Sequence, residues 1–272
     1  MNSPRDPYAI SGPTCISFSG GRTSAYMLRK ILDRYGGTLP PETHVLFANT
    51  GKEHPGTLDF VARCEQDWSV PITWLEFDGT HGYREVNYST ASRKGEPFDL
   101  LIKKKTALPN WRKRFCTSML KVERLHAYMS SRYEAWTDMV GLRADEPDRV
   151  HRRGGGGADA YVSVYPLFVG NVTKDKVMSF WRSNSFDLQI PVGAGNCDLC
   201  FMKGVSVLRP LLAQHPSLAD WWIQHEHSMG RTWTNRHTYL QLRQQALVPV
   251  SRLAAGKQTT EIEDSVSCHC TD

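Results

Sequence analysis

Residues 15–28 read CISFSGGRTSAYML and change character at their centre. The first five residues form a short apolar run that is typical of a buried strand, and the residues from Thr23 onward have helical spacing. Between the two stands Ser19-Gly-Gly, whose glycines give a turn its backbone freedom. One interpretation is a plain turn with a hydroxyl cap for the next helix. The other is an anion site, because N–H groups at a glycine-rich turn before a helix bind phosphate or sulfate.

Apolar runs alternate with helical patterns on the carboxyl side of this stretch. Strands are predicted at 15–19, 43–49 and 72–78, with helices from Thr23 to about Tyr35 and from Thr57 to about Trp68. This strand–helix order predicts a parallel sheet with helices on both faces. Right-handed crossovers make such a sheet doubly wound. The expected class is therefore α/β, with a doubly wound, mainly parallel, Rossmann-like sheet and a smaller helical C-terminal layer.

The rest of the chain completes this pattern and then becomes helical. Further helices are predicted near 97–104, 118–132, 173–183, 203–213, 216–228 and 236–247, and further strands at 136–142 and 161–167. The polar stretch 79–117 is a long insertion, and such insertions are more often functional than idle. We predict a nucleotide-binding domain over 1–195. A helical region over 196–272 would carry a CxxC motif and a cysteine-containing tail.

Composition narrows the classes of protein to consider. The 272 residues are 40% hydrophobic and 22% charged, which is the ordinary balance of a soluble globular protein. The start, MNSPRDPYAI, lacks the apolar region of a signal peptide, and no apolar run approaches the roughly 20 residues that span a bilayer. We expect a cytoplasmic protein with no membrane partner. The net charge of +5 suits an anionic partner.

Five of the seven cysteines stand in polar or loop-like contexts: Cys116, Cys197, Cys200, Cys268 and Cys270. Disulfides are not expected in a reducing compartment. Cys197 and Cys200 form a CxxC on a glycine-led turn. Three interpretations stay open for this pair, namely a redox pair, half of a zinc site, or part of an iron–sulfur cluster.

Three polar segments follow predicted strands. Ser19-Gly-Gly follows the first strand, Asn49-Thr50-Gly51 the second, and Gly141 to Arg149, GLRADEPDR, a later one. Ligands of parallel α/β sheets bind at the carboxyl ends of the strands. These segments are therefore predicted to converge, which favours an anion site over a plain turn.

Five stretches together carry a resemblance to a known family. They are SFSGGRTS, LFANTGKEHPGTLDFV, FCTSMLKVERL, GLRADEPDR and YPLFVGNVTKDKVMSFW, in this order over roughly residues 14–200. The chain resembles the PP-loop, or adenine-nucleotide α-hydrolase-like, superfamily, and within it the phosphoadenosine phosphosulfate (PAPS) reductase family. The resemblance implies a bound adenine nucleotide, namely PAPS, adenosine phosphosulfate or ATP. The chain departs from it at Thr23, where many PP-loop ATP enzymes carry Asp, and in lacking the C-terminal Glu-Cys-Gly of sulfonucleotide reductases.

The resemblance assigns roles to the residues that match. Phosphate or sulfate oxygens would be held by Ser17, Ser19, Gly20, Gly21, Thr23 and Ser24, and the adenosine would lie against Asn49, Thr50 and Gly51. Lys121 and Arg143 would act as catalytic cations, since arginine suits bidentate phosphate contacts. Arg149 and Arg114 would assist them, and Glu146 would orient the arginines. The alternative for Lys121 is an exposed helix lysine.

The resemblance also implies a metal. Cysteines at the positions of Cys116, Cys197 and Cys200 bind a 4Fe–4S cluster in the cluster-containing reductases and related sulfurtransferases. Cys270 or Cys268 would supply the fourth ligand, or one iron would stay open. Alternatively, Cys268 or Cys270 would be a mobile catalytic nucleophile. Two further hypotheses are a zinc site that includes a tail cysteine or His269, and a chain that binds no metal.

These observations lead to three candidate functions. The first is an iron–sulfur enzyme that binds an adenine nucleotide and acts in sulfonucleotide reduction or sulfur transfer, with a thiol reductant or sulfur donor as partner. The second is an ATP-dependent sulfurtransferase that modifies a nucleic acid, DNA or tRNA. The third is a non-catalytic nucleotide-binding module with a structural metal. The sequence makes no prediction of the oligomeric state.

Overall fold

The computed structural model describes residues 6–153, 160–190 and 194–248. In this part of the chain six strands form a sheet in the order β4-β3-β2-β1-β5-β6. The strands are β1 Thr14–Ser17, β2 Thr43–Asn49, β3 Ile72–Glu76, β4 Arg84–Val86, β5 Trp136–Val140 and β6 Tyr161–Val164. Neighbouring strands are parallel except β3 and β4. Because β1 is central and crossovers lead to both sides of it, the predicted doubly wound α/β class is confirmed.

Helices cover both faces of the sheet and form the C-terminal layer. They are α1 Arg22–Arg34, α2 Pro55–Asp67, α3 Glu96–Lys105, α4 Phe115–Thr117, α5 Glu123–Ser130, α6 Pro147–Arg153, α7 Pro166–Val169, α8 Lys174–Arg182, α9 Val205–Gln214, α10 Ala219–Met229 and α11 Tyr239–Leu247. A π-helical turn, Ser118–Val122, joins α4 to α5, and a 3-10 turn, Pro216–Leu218, precedes α10. Within the described residues, no helix is long and apolar enough to cross a membrane.

The first helix shows why these segments fold as they do. Ala25, Leu28, Ile31 and Leu32 recur at helical spacing in α1, and all four are fully buried. They pack in an apolar cluster together with Ile16 of β1. The strand is buried along most of its length because helices cover both faces of the sheet.

The structure corrects several predicted element boundaries. The segment 161–167 is a strand only to Val164, because Pro166 has no N–H to donate and begins the short helix α7. The first strand ends at Ser17 and the third at Glu76, each two residues earlier than predicted, since the chain turns there into a loop. The predicted helix 118–132 begins earlier, at Phe115, and contains the π-helical turn. Sequence patterns did not predict β4 or α6.

The C-terminal helices share a core with the sheet domain. One apolar cluster combines Phe98 and Leu101 of α3 and Leu120 of the π-helical turn with Leu208 of α9 and Trp222 of α10. Residues on both sides of the predicted boundary at 195 therefore bury one another. This packing holds the CxxC loop next to the carboxyl end of the sheet.

Candidate functional site

The loop between β1 and α1 requires glycine at its centre. Gly20 has a φ of +79°, in the left-handed region that favours glycine. A β-carbon at this position would lie 2.8 Å from Thr57 Cγ2 of α2. The loop therefore presses against the second helix, and both its conformation and its packing exclude larger residues.

Two serine hydroxyls fix this loop. Ser24 Oγ accepts a hydrogen bond from the Ser19 N–H at 3.2 Å and donates one to the Gly21 carbonyl at 3.0 Å. The hydroxyls of Ser19 and Ser24 lie 3.0 Å apart. The first turn of α1 contains no acidic side chain. Its amino-terminal N–H groups thus present a positive helix end to the space above the loop.

Two arginines approach the same helix end. Arg143 is buried, and its Nη1 donates to Thr23 Oγ1 at 3.0 Å. Its Nε donates to Asp145 Oδ1 at 3.0 Å. Glu146 accepts a hydrogen bond from Arg149 and from the backbone N–H of Arg143. The carboxylates hold the two guanidinium groups in place, and that of Arg143 lies beside Thr23.

These groups line one cleft at the carboxyl ends of β1 and β5. The cleft encloses about 900 Å³ of space, which includes solvent at its open mouth. Its lining brings together the predicted residues Ser17, Ser19, Thr23, Ser24, Lys121, Arg143 and Arg149. Gly20 and Gly21 shape the loop behind this lining. Two of the three segments that we predicted to converge, Ser19-Gly-Gly and Gly141 to Arg149, therefore meet at this cleft, whereas Asn49-Thr50-Gly51 does not line it.

The predicted segment Asn49-Thr50-Gly51, after β2, does not line this cleft. Asn49 is fully buried, and its Nδ2 donates to Glu76 Oε1 at 2.7 Å and to the Ser92 carbonyl at 2.8 Å. Its Oδ1 accepts from the Gly51 N–H at 3.0 Å. Asn49 and Gly51 thus hold the loop after β2, and Thr50 lines a second cavity.

Two side chains of the cleft, Asp138 and His126, were not among the site residues predicted from the sequence. Asp138 of β5 accepts a 2.6 Å hydrogen bond from Ser17 Oγ. His126 Nε2 of α5 lies 3.8 Å from Asp138 Oδ2, and both side chains line the cleft. Ser17 therefore donates its hydroxyl proton to a carboxylate in this structure. A charged residue inside a buried strand, WTDMV, was the available signal.

Three cysteines surround the second cavity. Cys116, Cys197 and Cys200 line it together with four apolar side chains, Phe98, Phe201, Met202 and Trp222, and with four polar or charged ones. Thr117 and Lys121 line both this cavity and the cleft. We call this second space the cysteine cavity. It adjoins the anion site through a shared wall.

The CxxC loop is fixed to the loop after β2. Lys52 Nζ and Asp198 Oδ2 form a buried ion pair at 2.7 Å. Burial raises the pKa of Asp198, and the ammonium of Lys52 opposes this shift. Glu53 and Cys197 form an antiparallel bridge, and Asn196 Nδ2 donates to the Ser19 carbonyl at 2.6 Å. One network therefore holds the glycine loop and the CxxC together.

Glu53 is a further residue that sequence reasoning missed. Its carboxylate is fully buried and lies 3.0 Å from Lys121 Nζ. The same oxygen, Oε1, accepts from Thr50 Oγ1 at 3.0 Å and lies 3.9 Å from Cys197 Sγ. Lys121 therefore pairs with a buried carboxylate and is not the exposed helix lysine of the alternative prediction. The signal in the sequence was a charged pair, Lys52-Glu53, in the loop that follows a buried strand.

The cysteine cavity contains thiols that could bind a metal, but its described side chains are not arranged around a common metal position. Thiols in an apolar setting are the ligands of iron–sulfur clusters and of structural zinc. Across 6–153, 160–190 and 194–248, no three Cys, His, Asp or Glu side chains form a group that could hold a metal ion. Cys268, Cys270 and His269 lie outside the described residues.

The fold and cleft define an α/β protein with a glycine loop and basic side chains at its strand ends. Residues 13–189 match the family described as the phosphoadenosine phosphosulfate reductase domain. The chain belongs to this family, which confirms the resemblance carried by its motifs. At this coarse level it is a member of an enzyme family of sulfonucleotide chemistry.

Known proteins show further similarities. The chain is 32% identical over 200 residues to the uncharacterized nin region protein ORF290 of Escherichia phage lambda, covering 69% of this chain and 65% of that protein. The chain thus spans 65% of the length of this relative. A PAPS reductase from Candida auris in a phosphate complex aligns with 65% of this chain and 73% of its own, at 16% identity and a TM-score of 0.41. The U34-tRNA thiolase NcsA from Methanococcus maripaludis, solved with its 4Fe-4S cluster, is also similar. The alignment covers 93% of this chain and 76% of the thiolase, at 12% identity and a TM-score of 0.37.

Proposed function

We propose that this chain is an enzyme that binds an adenine nucleotide in the cleft and performs sulfur chemistry at the adjoining cysteine cavity. The observation that carries the proposal is the shared wall, where Thr117 and Lys121 line both spaces. A phosphate or sulfate at the glycine loop would then lie beside the cysteines. Membership of the PAPS reductase domain family supports the choice of an adenine nucleotide.

The anion end of the cleft suits a phosphate or sulfate group. The start of α1 supplies N–H donors, while Arg143 and Arg149 supply guanidinium groups that Glu146 holds in place. Lys121, at the wall between the two spaces, would neutralise charge on a leaving phosphate. PAPS, adenosine phosphosulfate and ATP all present such groups.

Two reactions fit this arrangement. In a reductase, a thiolate, which we assign to Cys268 or Cys270, attacks the sulfur of the sulfonucleotide. The bond from sulfur to the phosphate oxygen breaks, the nucleotide leaves, and a thiol reductant then releases sulfite. In a sulfurtransferase, an acceptor oxygen attacks the α-phosphate of ATP, pyrophosphate leaves, and a sulfur donor displaces AMP. Reduction is our leading proposal, since the chain's motifs match that family.

We further propose a 4Fe–4S cluster on Cys116, Cys197 and Cys200, with Cys270 or Cys268 as the fourth ligand. The support is the convergence of the three cysteines on one mostly apolar cavity. When bound, such a cluster supplies electrons or holds sulfur. The residues of this chain would enclose it, exclude water through Phe98 and Trp222, and place Lys121 between it and the nucleotide.

Nucleotide binding is the first test. We expect the wild-type protein to bind at least one of PAPS, adenosine phosphosulfate and ATP in isothermal titration calorimetry. Arg143→Gln should weaken binding about 10- to 100-fold, because it removes charge-assisted hydrogen bonds to the anion. Arg29→Gln is the matched control, since Arg29 pairs with Asp33 on the outer face of α1. Absence of binding for all three nucleotides, or equal affinities of the two variants, would contradict the proposal.

The metal is tested on anaerobically purified protein. We expect about four irons and four sulfides per chain, with loss of both in Cys197→Ala. Cys64→Ala is the control, because Cys64 is buried in the core of α2, away from the cavity. Zinc in place of iron, or no metal, would remove the cluster and leave a tail-thiol reductase or a nucleotide-binding module.

A basic and aromatic surface favours the nucleic-acid sulfurtransferase as second candidate. Residues 103–114 contain six Lys or Arg and no acidic residue. Trp111 is 52% exposed, with the Arg112 guanidinium 4.7 Å from its ring centroid, and Arg114 lines the cysteine cavity. Exposed rings beside cations bind single-stranded nucleic acid by stacking.

Fluorescence anisotropy with a labelled single-stranded oligonucleotide tests this candidate. We expect affinity that falls with salt and weakens roughly tenfold in Trp111→Ala. Leu240→Ala, which removes an exposed apolar side chain of α11 that has no aromatic ring, is the control. Equal affinities of the two variants would remove the nucleic-acid acceptor.

A further inference from the structure

The cleft has two ends of opposite chemistry. At one end Thr23 and Arg143 lie beside the start of α1, and Gly141 lies against Ser24. At the other end Asp138 carries a carboxylate that would repel a phosphate. A nucleotide that occupies the cleft must therefore place its uncharged part at the Asp138 end.

Strand register gives the depth of the Asp138 end. Asp138 pairs with Cys15, and Val140, the last residue of β5, pairs with Ser17. Asp138 therefore lies two residues below the strand end, a rise of about 7 Å. The glycine loop begins beyond Ser17, so the carboxylate lies deeper in the cleft than the anion site. The deepest part of the cleft suits the base of a nucleotide, with ribose between base and phosphate.

The walls around Asp138 suit a flat aromatic ring. Leu125, next to His126 in α5, and Val140, two residues beyond Asp138 in β5, line the cleft. The His126 ring packs on Tyr161 with centroids 4.1 Å apart, which orients the imidazole edge that faces Asp138. Apolar and aromatic side chains with a few placed polar groups are usual in small-ligand sites, and the His126 ring, Leu125 and Asp138 supply them here.

The hydrogen bonds of Asp138 leave acceptor capacity toward the cleft. Oδ1 accepts from Ser17 Oγ at 2.6 Å, and the buried thiol of Cys15 also lies beside the carboxylate, whereas Oδ2 lies 3.8 Å from His126 Nε2, beyond hydrogen-bond length. The carboxylate is more than nine-tenths buried, with 7% of its side chain exposed. A carboxylate can accept more than one hydrogen bond, and a ligand in the cleft can supply a further donor.

We propose that Asp138 selects the base of the nucleotide by accepting a hydrogen bond from the 6-amino group of adenine. Ser17 is a positioning residue that fixes the carboxylate, and His126 closes the slot beside it. This inference rests on the proposed function and names the feature of the substrate that the site distinguishes. A 6-oxo purine would set an acceptor against the carboxylate, so the site would reject it.

The test compares AMP with inosine monophosphate, which differ in the amino or oxo group at purine C6. Isothermal titration calorimetry on the wild-type protein should show a preference for AMP of about 10- to 100-fold. Asp138→Asn should reduce the preference to within about threefold, since an amide both donates and accepts hydrogen bonds. Asp220→Asn, at an exposed pair with Arg243 on the C-terminal layer, should keep the wild-type preference.

Ser17→Ala is a second, milder variant for the case in which Asp138→Asn does not fold. It should lower the preference for AMP severalfold, because Asp138 loses the hydrogen bond that orients it. Equal wild-type affinity for AMP and inosine monophosphate would overturn the inference and leave the proposed nucleotide site standing. An unchanged AMP preference in a folded Asp138→Asn, or in Ser17→Ala, would also overturn it. Absence of binding of PAPS, adenosine phosphosulfate, ATP and both monophosphates would overturn both proposals.

Discussion

At the scale of single residues, Gly20 combines two requirements. Its φ of +79° is unfavourable for other residues, and the space where a side chain would begin is filled by Thr57. Gly36, after α1, shares the first requirement only, because its φ is +62° and nothing lies within 4 Å of a β-carbon there. A comparison of substitutions at Gly20 and Gly36 therefore distinguishes the cost of backbone strain from the cost of a steric contact.

We predict that Gly20→Ala destabilises the protein by about 1–3 kcal/mol more than Gly36→Ala. Both variants incur the cost of the left-handed conformation, and only Gly20→Ala adds a contact 2.8 Å from Thr57 Cγ2. Urea-induced unfolding followed by circular dichroism measures the difference. Equal free energies of unfolding for the two variants would show that the glycine loop can move away from α2.

Residues that belong to a local motif were predictable, and those that meet through tertiary contacts were not. Ser19 and Arg143 stand in stretches whose composition indicates a loop at a strand end. Asp138 and Glu53 act through partners 121 and 68 residues away, Ser17 and Lys121. A sequence does not show which distant side chains will share a cleft wall.

At the scale of elements, the start of α2 depends on a histidine. The structure begins this helix at Pro55, two residues before the predicted Thr57. His54 Nδ1 accepts a hydrogen bond from the Gly56 N–H at 3.1 Å, so the cap requires an unprotonated ring nitrogen. Burial lowers the pKa of His54 below its ordinary 6.5, and Lys203 acts in the same direction.

This pKa shift predicts a pH dependence of stability. Because the folded pKa is depressed, the unfolded chain binds more protons near pH 6.5, and the contribution of His54 is lost as pH falls below this value. When the pH falls from about 7.5 to about 5.5, the free energy of unfolding should decrease in both proteins. The decrease should be about 1 kcal/mol smaller in His54→Asn than in the wild type, because an Asn oxygen caps the helix without titrating.

Urea titrations at the two pH values measure this difference. His81→Asn is the control, because His81 is exposed in the loop after β3. An identical pH dependence for the wild type and His54→Asn would show that the cap does not titrate in this range.

The π-helical turn is an element that periodicity did not reveal. The pattern predicted a plain helix over 118–132, whereas Ser118–Val122 is π-helical. Single π-helical turns are frequent at functional sites. This turn carries Lys121, and Thr117 directly precedes it, so it forms the wall between the cleft and the cysteine cavity. Sequence periodicity predicts that a helix exists, but it does not predict which hydrogen-bond pattern the helix adopts.

At the scale of the whole molecule, a buried ion pair joins the two predicted regions. Lys52, after β2, pairs with Asp198 in the CxxC loop, and both side chains are at least 90% buried. The apolar cluster of α3, α9 and α10 spans the same boundary. We therefore propose that 1–195 and the described part of 196–272 unfold as one unit.

We predict that Lys52→Met destabilises the protein by about 3–5 kcal/mol, because Asp198 is left buried without its cation. Lys30→Met should change stability by less than about 0.5 kcal/mol, since its pair with Asp33 is exposed. Differential scanning calorimetry measures both variants and should give one transition for the wild type. Two wild-type transitions, or similar effects of the two substitutions, would contradict a single cooperative unit.

The sequence by itself determined the class of fold and the place of the glycine loop. Alternating apolar runs and helical patterns predict the sheet, and Ser19-Gly-Gly at a strand end predicts the cleft, because both depend on neighbours in the chain. Tertiary structure alone decided that Asp138 faces Ser17 and that Lys121 pairs with Glu53. The physical reason is that burial and charge pairing are properties of side chains brought together from distant strands. The chemistry of the two cleft ends therefore arises only when the sheet has formed.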